Sequence, residues 1–246
     1  MAGPTHALGR RAHFDDRSRN YRIRSVLDRL GVSARVPRSY TWRCEPRLDQ
    51  DGVGACVGFA WAHEVAARPV LRPADAALAF RIYRSAQLID QWPETPPAEG
   101  TSVLAGVKIA QGLGYYAEYR WAGAGSGRVL EDVVLTLGYL GPMVAGSEWT
   151  EDMFDPDASG LLHPTGAIAG GHAYLLNGVR CRWASTVPIL DRAFANLDRR
   201  TSLVRVHNSW GADWGVDGEA FLTLDEMEGL LERGGEACIP VRRTTP

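Results

Sequence analysis

The chain has 246 residues, 45% of them apolar and 23% charged, with a formal net charge of −2. That length suits one large domain or two lobes sharing an interface, and the composition is ordinary for a globular protein. Near-neutral charge gives no reason to expect nucleic-acid or membrane-surface binding, and no apolar run approaches the roughly 20 residues of a membrane span. With no signal-peptide core at the N-terminus either, a cytoplasmic or otherwise intracellular location is expected.

Residues 1–36 form an Arg-rich arm. Over residues 1–39 there are nine arginines against three aspartates and few large apolar residues. A solvated or loosely docked segment is expected there, with a short helix over Tyr21–Leu30. Pro37 and Tyr40-Thr41-Trp42 mark the start of a compact domain, 37–246. The four cysteines, Cys44, Cys56, Cys181 and Cys238, are widely spaced without a CxxC pair, so free thiols are expected.

From Gln50 the chain reads as a glycine-broken loop followed by a buried helix from Cys56 to before Pro69. A cysteine in a first helical turn faces unpaired backbone N–H groups and the positive end of the helix dipole, and both favour the nucleophilic thiolate. Further helices are expected over Ala74–Leu88, from Thr101 or Ser102 to Gln111, and over Val129–Leu140, with a loop at 92–100. Short apolar runs then follow at Met143–Ala145, Ala173–Leu176, Val204–Val206 and Ala220–Leu222 and read as strands. Helices first and strands later predict an α+β fold, with a helical lobe over about 43–140 and a β lobe over about 141–246.

A base is needed to activate Cys56. His63 lies seven residues along the same helix, about 10 Å away by the helical rise, and is too far. His172 stands between two glycines and a strand, where it can face a helix N-terminus. Asn208, in Asn208-Ser209-Trp210-Gly211-Ala212-Asp213-Trp214-Gly215, can hold an imidazole N–H and fix its tautomer, while Trp210 excludes water.

Taken together, these segments resemble the papain-like cysteine peptidases of the C1 family. The oxyanion glutamine, glycine loop and nucleophile of that family match Gln50, Gly54 and Cys56. Gly171-His172-Ala173 matches its base segment, and Asn208 to Gly215 matches its Asn-Ser-Trp-Gly segment without a gap. The resemblance covers about residues 37–240 and leaves the arm without a counterpart. It implies a two-lobed papain-like fold, with a helical lobe and an antiparallel or barrel-like sheet lobe flanking a cleft. It also implies a Cys56–His172–Asn208 triad cleaving peptide or protein substrates by way of an acyl-enzyme, with Gln50 binding the oxyanion and no cofactor or metal. Gly100, Thr101, Ser102 and Gly171 should line the cleft, including the pocket for the second residue upstream of the cut, which is expected to take an apolar side chain.

The sequence departs from the family at Val53 and Val57, at the 36-residue span from His172 to Asn208 with its extra segment around 181–200, and in an arm too short for the long inhibitory propeptide. Contact of the arm with the cleft stays open at this stage, as do a different thiol acyl transferase or amidase and a binding or assembly module on the same fold. Other chemistries fit less well. His63-Glu64 lacks the second histidine of a zinc helix, Gly52-x-Gly54 lacks dinucleotide-loop spacing, Asp155-x-Asp157 lacks the acidic twelfth residue of a calcium loop, and no Gly-x-Ser-x-Gly elbow occurs.

Overall fold

In the computed structural model, which describes residues 6–91, 99–123, 127–184 and 194–243, the arm is packed rather than solvated. It carries two short helices, α1 (Asp16–Arg19) and α2 (Arg24–Arg29). Ile23, Val26 and Leu27 from this region are buried in the larger core. The low apolar content of the arm is misleading because Ile23, Val26, Leu27 and Val32 all enter that core, while Phe14, Tyr21 and Leu30 stay exposed.

The body begins with β1 (Tyr40–Thr41) and three helices, α3 (Cys56–Ala66), α4 (Ala76–Asp90) and α5 (Val103–Gly112). Every residue of α3 is buried, so it shows little amphipathic pattern and reads as a core helix. Asp75 caps α4 by accepting from the Leu78 N–H, and Ser102 caps α5 by accepting from the Ala105 N–H. These starts agree with the sequence expectation to within two residues; residues 92–98 of the expected loop lie outside the described residues.

Next come β2 (Tyr116–Trp121), α6 (Val129–Tyr139), β3 (Met143–Thr150), β4 (Ile168–Arg180), β5 (Leu203–His207), β6 (Glu219–Thr223), α7 (Leu224–Glu232) and β7 (Glu236–Arg243). The sheet is antiparallel and open, with order β2-β7-β3-β4-β5-β6 and β1 paired to β4, so it is not closed into a barrel.

The central strands have no polar face. Side chains alternate across a strand, and here Met143, Ala145, Tyr174 and Leu176 enter one core while Val144, Ala173 and Leu175 enter the other. Helices must therefore cover both sides. On one face lie α3 and α5, and on the other α2, α6 and α7. Sequence order had suggested that α6 belongs with the earlier helices, but its apolar residues pack across the sheet from them.

A buried ionic tie fixes α3 against the sheet edge. Glu64 accepts from Arg243 at 2.9 Å and 2.8 Å and from the Tyr116 hydroxyl. This binds α3 to β7 and β2 and accounts for the acidic residue that follows His63. Among the described residues no helix is long and apolar enough to cross a membrane.

Candidate active site

Cys56 opens α3, preceded by Ala55, which provides no side-chain cap. It is wholly buried, and the backbone N–H groups of Ala173, Gly9 and Val57 face its sulfur. Ala173 directly follows His172 on β4, so the sulfur lies beside the histidine segment. Antiparallel pairing of β4 with β5 sets Leu175 opposite His207 and brings Asn208, the next residue, to the flank of His172.

Asn208 Oδ1 lies 2.7 Å from His172 Nε2 and accepts from the Ser209 N–H at 2.8 Å. A backbone N–H only donates, so the atom that it meets is the amide oxygen. His172 Nε2 therefore carries the proton, and Nδ1 keeps its lone pair. That Nδ1 is buried with no hydrogen-bond partner. Trp210 stacks on the imidazole at 4.7 Å between centroids, and Trp149 meets it edge-on at 4.7 Å. Both rings keep water from the His172–Asn208 bond.

Gln50 is fully buried, and its amide is aimed from both ends. Oε1 accepts from the Ser209 hydroxyl at 2.6 Å, while Nε2 donates to Val53 O at 2.7 Å and Ala7 O at 3.0 Å. Ser209 is thus a second orienting residue, legible only as the middle of the Asn-Ser-Trp segment.

The arm runs through this cleft. Gly9 N and Arg10 N donate to Gly171 O at 3.1 and 2.9 Å, Thr101 N donates to Gly9 O at 2.9 Å, and Arg11 N donates to Thr101 O at 2.9 Å. Contact is close enough to require glycine. A Cβ on Gly9 would stand 2.0 Å from Gly54 O, and one on Gly171 would stand 2.2 Å from Arg10 O. Ring stacking of His6 on Trp210 at 4.4 Å extends the cover. Gly9 presents an N–H to the sulfur.

Burial sets the charge state. Loss of water pushes the Cys56 thiol up to about 11 against the opposing backbone N–H groups, and pushes His172 down to about 4 against the Asn208 hydrogen bond. In this closed form the two groups are neutral at pH 7.

Gly100, Thr101 and Gly171 border the arm-filled cleft, whereas Ser102 is buried and caps α5. Asp90, at the end of α4, ties that wall together by accepting from Thr101 Oγ1 at 2.6 Å, Ser102 N at 2.7 Å and Ser102 Oγ at 2.9 Å; His13 of the arm lies 3.1 Å from the same carboxylate. Nothing in the sequence marked Asp90. Arg10 of the arm, which passes Gly171, is held by the buried carboxylate of Glu236. β7 was not recognised as a strand, which hid Glu236. Beside Trp210 lies an open groove of about 720 Å³ whose lining includes Asp49, Asp51, Asp155 and Asp213.

All four cysteines are free thiols. His63 is buried against His207 at 4.4 Å between ring centroids, and no set of three metal-ligating side chains occurs among the described residues. Asp157 accepts from Ser159 N and Leu161 N, which makes it the organiser of a tight turn. Residues 185–193 of the expected insertion lie outside the described residues.

No protein-family model and no curated protein matches the chain. Solved structures do. Xylellain, a cysteine protease from Xylella fastidiosa, superposes with a TM-score of 0.65 at 14% identity, over 99% of each chain. Digestive procathepsin L 3 of Tenebrio molitor gives 0.58 at 15% identity, over 84% of this chain and 70% of that one. Procathepsin B S9 from Trypanosoma congolense gives 0.55 at 16% identity, over 97% and 87%. The chain therefore has the papain-like fold. The match to xylellain takes in most of the arm, which the sequence resemblance had left without a counterpart.

Proposed function

We propose that the chain is a cysteine peptidase in which Cys56 is the nucleophile, His172 the base and Asn208 the residue that orients it, and that the arm holds it latent. The observation that carries this reading is the partnerless buried Nδ1 of His172, with Nε2 fixed by Asn208, while the N–H of the adjoining Ala173 faces the sulfur of Cys56 at the start of α3. A papain-like fold supports it.

When the arm leaves, water enters, and His172 Nδ1 takes the Cys56 proton. The thiolate attacks a peptide carbonyl, and the resulting oxyanion is held by Gln50 Nε2, which now donates to Ala7 O, and by the Cys56 backbone N–H. His172 gives its proton to the leaving amine as the C–N bond breaks and the thioester forms. Water, deprotonated by His172, then cleaves the thioester and restores the thiol. The wall of Gly100, Thr101, Ser102 and Gly171 would hold the substrate backbone.

The test is hydrolysis of a mixed fluorogenic peptide library by a Gly9→Val protein, in which the arm cannot seat. Cleavage is expected, and its loss in Gly9→Val/Cys56→Ser assigns the nucleophile. Undiminished cleavage by that double variant refutes the assignment, and products bearing an added amine would reassign the enzyme to acyl transfer.

A further inference from the structure

Behind the site lies a buried polar cluster that the peptidase chemistry does not use. His63 of α3 and His207 of β5 are both fully buried and meet edge to face at 4.4 Å between ring centroids. Around them stand the Cys44 thiol, 3.8 Å from His207 Nε2 and donating to His63 O at 3.4 Å, and the Glu219 carboxylate, 3.2 Å from His207 Nδ1.

The partners fix where each ring carries its hydrogens. A carbonyl only accepts, so His207 Nε2, 3.0 Å from Pro46 O, must donate. Its Nδ1 faces Glu219 Oε1, which also accepts from Asn177 Nδ2 at 2.8 Å, while Arg205 Nε and Arg47 Nη2 stand 3.0 and 4.0 Å from the other carboxylate oxygen. Burial works to raise the Glu219 carboxyl, yet His207, Asn177 and Arg205 outweigh it and hold the group below its ordinary range. Facing an ionised carboxylate, His207 Nδ1 also carries a hydrogen, so this ring donates from both nitrogens. His63 does the reverse. The Leu48 N–H donates to its Nε2 at 3.3 Å, which makes that nitrogen an acceptor and leaves the ring hydrogen on Nδ1. Burial, followed by the neighbouring His207 and Arg47, lowers His63 well below its usual range and keeps it in this neutral form.

The two rings therefore grip one short stretch of chain, His207 giving a hydrogen to Pro46 O and His63 taking one from Leu48 N. That stretch leads directly to Gln50, whose own N–H donates to Ser209 O at 2.9 Å. His207 immediately precedes Asn208, and His63 sits on the helix that Cys56 opens. Gln50, Asn208 and Cys56 come from a loop, a strand end and a helix start, and the histidine pair is bonded to the first from within the other two. Building on the peptidase reading, we infer that His63 and His207 form a buried clamp that positions Gln50 against Cys56 and Asn208. Neither ring touches substrate, and both act through the segment from Pro46 to Gln50, where a small misplacement of the oxyanion donor costs rate more than binding.

The experiment is a double-mutant cycle in the full-length Gly9→Val protein, with kcat and KM measured on a peptide taken from the mixed library. His63→Leu removes the acceptor of the Leu48 N–H and is expected to lower kcat about tenfold with KM little changed. His63→Gln, whose amide oxygen can reach the place of Nε2, should recover most of that loss. With Gln50→Ala already present, His63→Leu should cost about twofold or less, because the clamp acts through the missing donor. Equal losses in the two backgrounds overturn the inference, as do an unchanged kcat in His63→Leu or a rise in KM in its place. If His63→Leu does not fold, imidazole nitrogen chemical shifts of the unaltered protein decide: at neutral pH they should show hydrogens on both nitrogens of His207 and on Nδ1 alone of His63. A neutral His207, or a hydrogen on His63 Nε2, overturns the clamp. A Gly9→Val protein that leaves the whole library uncut refutes the peptidase reading and the clamp's role with it, whereas a failed cycle in an active protein refutes the clamp alone.

Discussion

Displacing the arm by a single methyl-bearing residue tests how the cleft is closed. In Gly9→Val the new Cβ would stand 2.0 Å from the backbone oxygen of Gly54 and 2.4 Å from its carbon. An ordinary contact needs about 3.4 Å or more, and a backbone carbonyl on a helix-leading loop has little room to retreat. The arm must move by more than 1 Å relative to Gly54, by the difference between those distances. Such a movement breaks at least the two hydrogen bonds that Gly9 itself makes, to Gly171 O and from Thr101 N. At about 1 kcal/mol each, the closed form loses about 2 kcal/mol, a shift of roughly thirtyfold toward the open form. The readout is the rate of Cys56 alkylation by iodoacetamide, since the sulfur is fully buried when the arm is seated. A rise of about that size is expected, with thermal stability little changed because Ile23 and Leu27 still anchor α2 in the core. An alkylation rate equal to that of the parent protein would refute the argument. The same anchors mean that deletion of residues 1–35 removes core residues along with the plug, so truncation should stop before α1.

The remaining predictions concern the donors, the fold and pH. In the Gly9→Val background, Gln50→Ala should lower kcat by about 10²–10³ through loss of an oxyanion donor, and Ser209→Ala by about tenfold through a loosened amide, both read by steady-state kinetics; equal rates would exclude these roles. Glu64→Ala leaves Arg243 and Tyr116 without their buried partner and should cost about 3–5 kcal/mol, seen as a fall of roughly 10 °C in calorimetric Tm. Closure should also weaken in acid. His172 is held at about 4 when covered against 6.5 when solvated, so between these values the open form binds a proton that the closed form does not. Closure is then complete above about pH 6.5 and is lost by up to about tenfold per unit as pH falls toward 4. Protection factors of the Gly9, Arg10 and Arg11 amides, measured by hydrogen exchange, should drop through that window; protection that stays flat contradicts the assignment.

Local patterns in the sequence marked residues that lie together in the fold: Asn208 meets His172, and Ser209 holds Gln50. Helical spacing placed α4, a capping residue and glycine stops placed α5, and Gly141-Pro142 closed α6. Long-range pairing was harder to read. β2 and β7 are not neighbours in any local sense: they pair across more than a hundred residues, with Trp121 opposite Cys238, and neither carries a strict alternation. Missing β7 hid Glu236, and so the buried partner of Arg10. The arm misled for a different reason. Its arginines suggested solvent, yet Arg10 is buried because Glu236, supplied from the other end of the chain, meets it. No composition-based reading captures a charge whose partner is 226 residues away.

Labelling of the sulfur tests the central claim most directly. The Gly9→Val protein is treated with an epoxide-type thiol inhibitor and mapped by peptide mass spectrometry, alongside the same protein carrying His172→Ala. The account predicts one adduct, on Cys56, that forms far more slowly without His172. Modification at the partly exposed Cys181 in its place, or Cys56 labelling at the same rate without the imidazole, would contradict it.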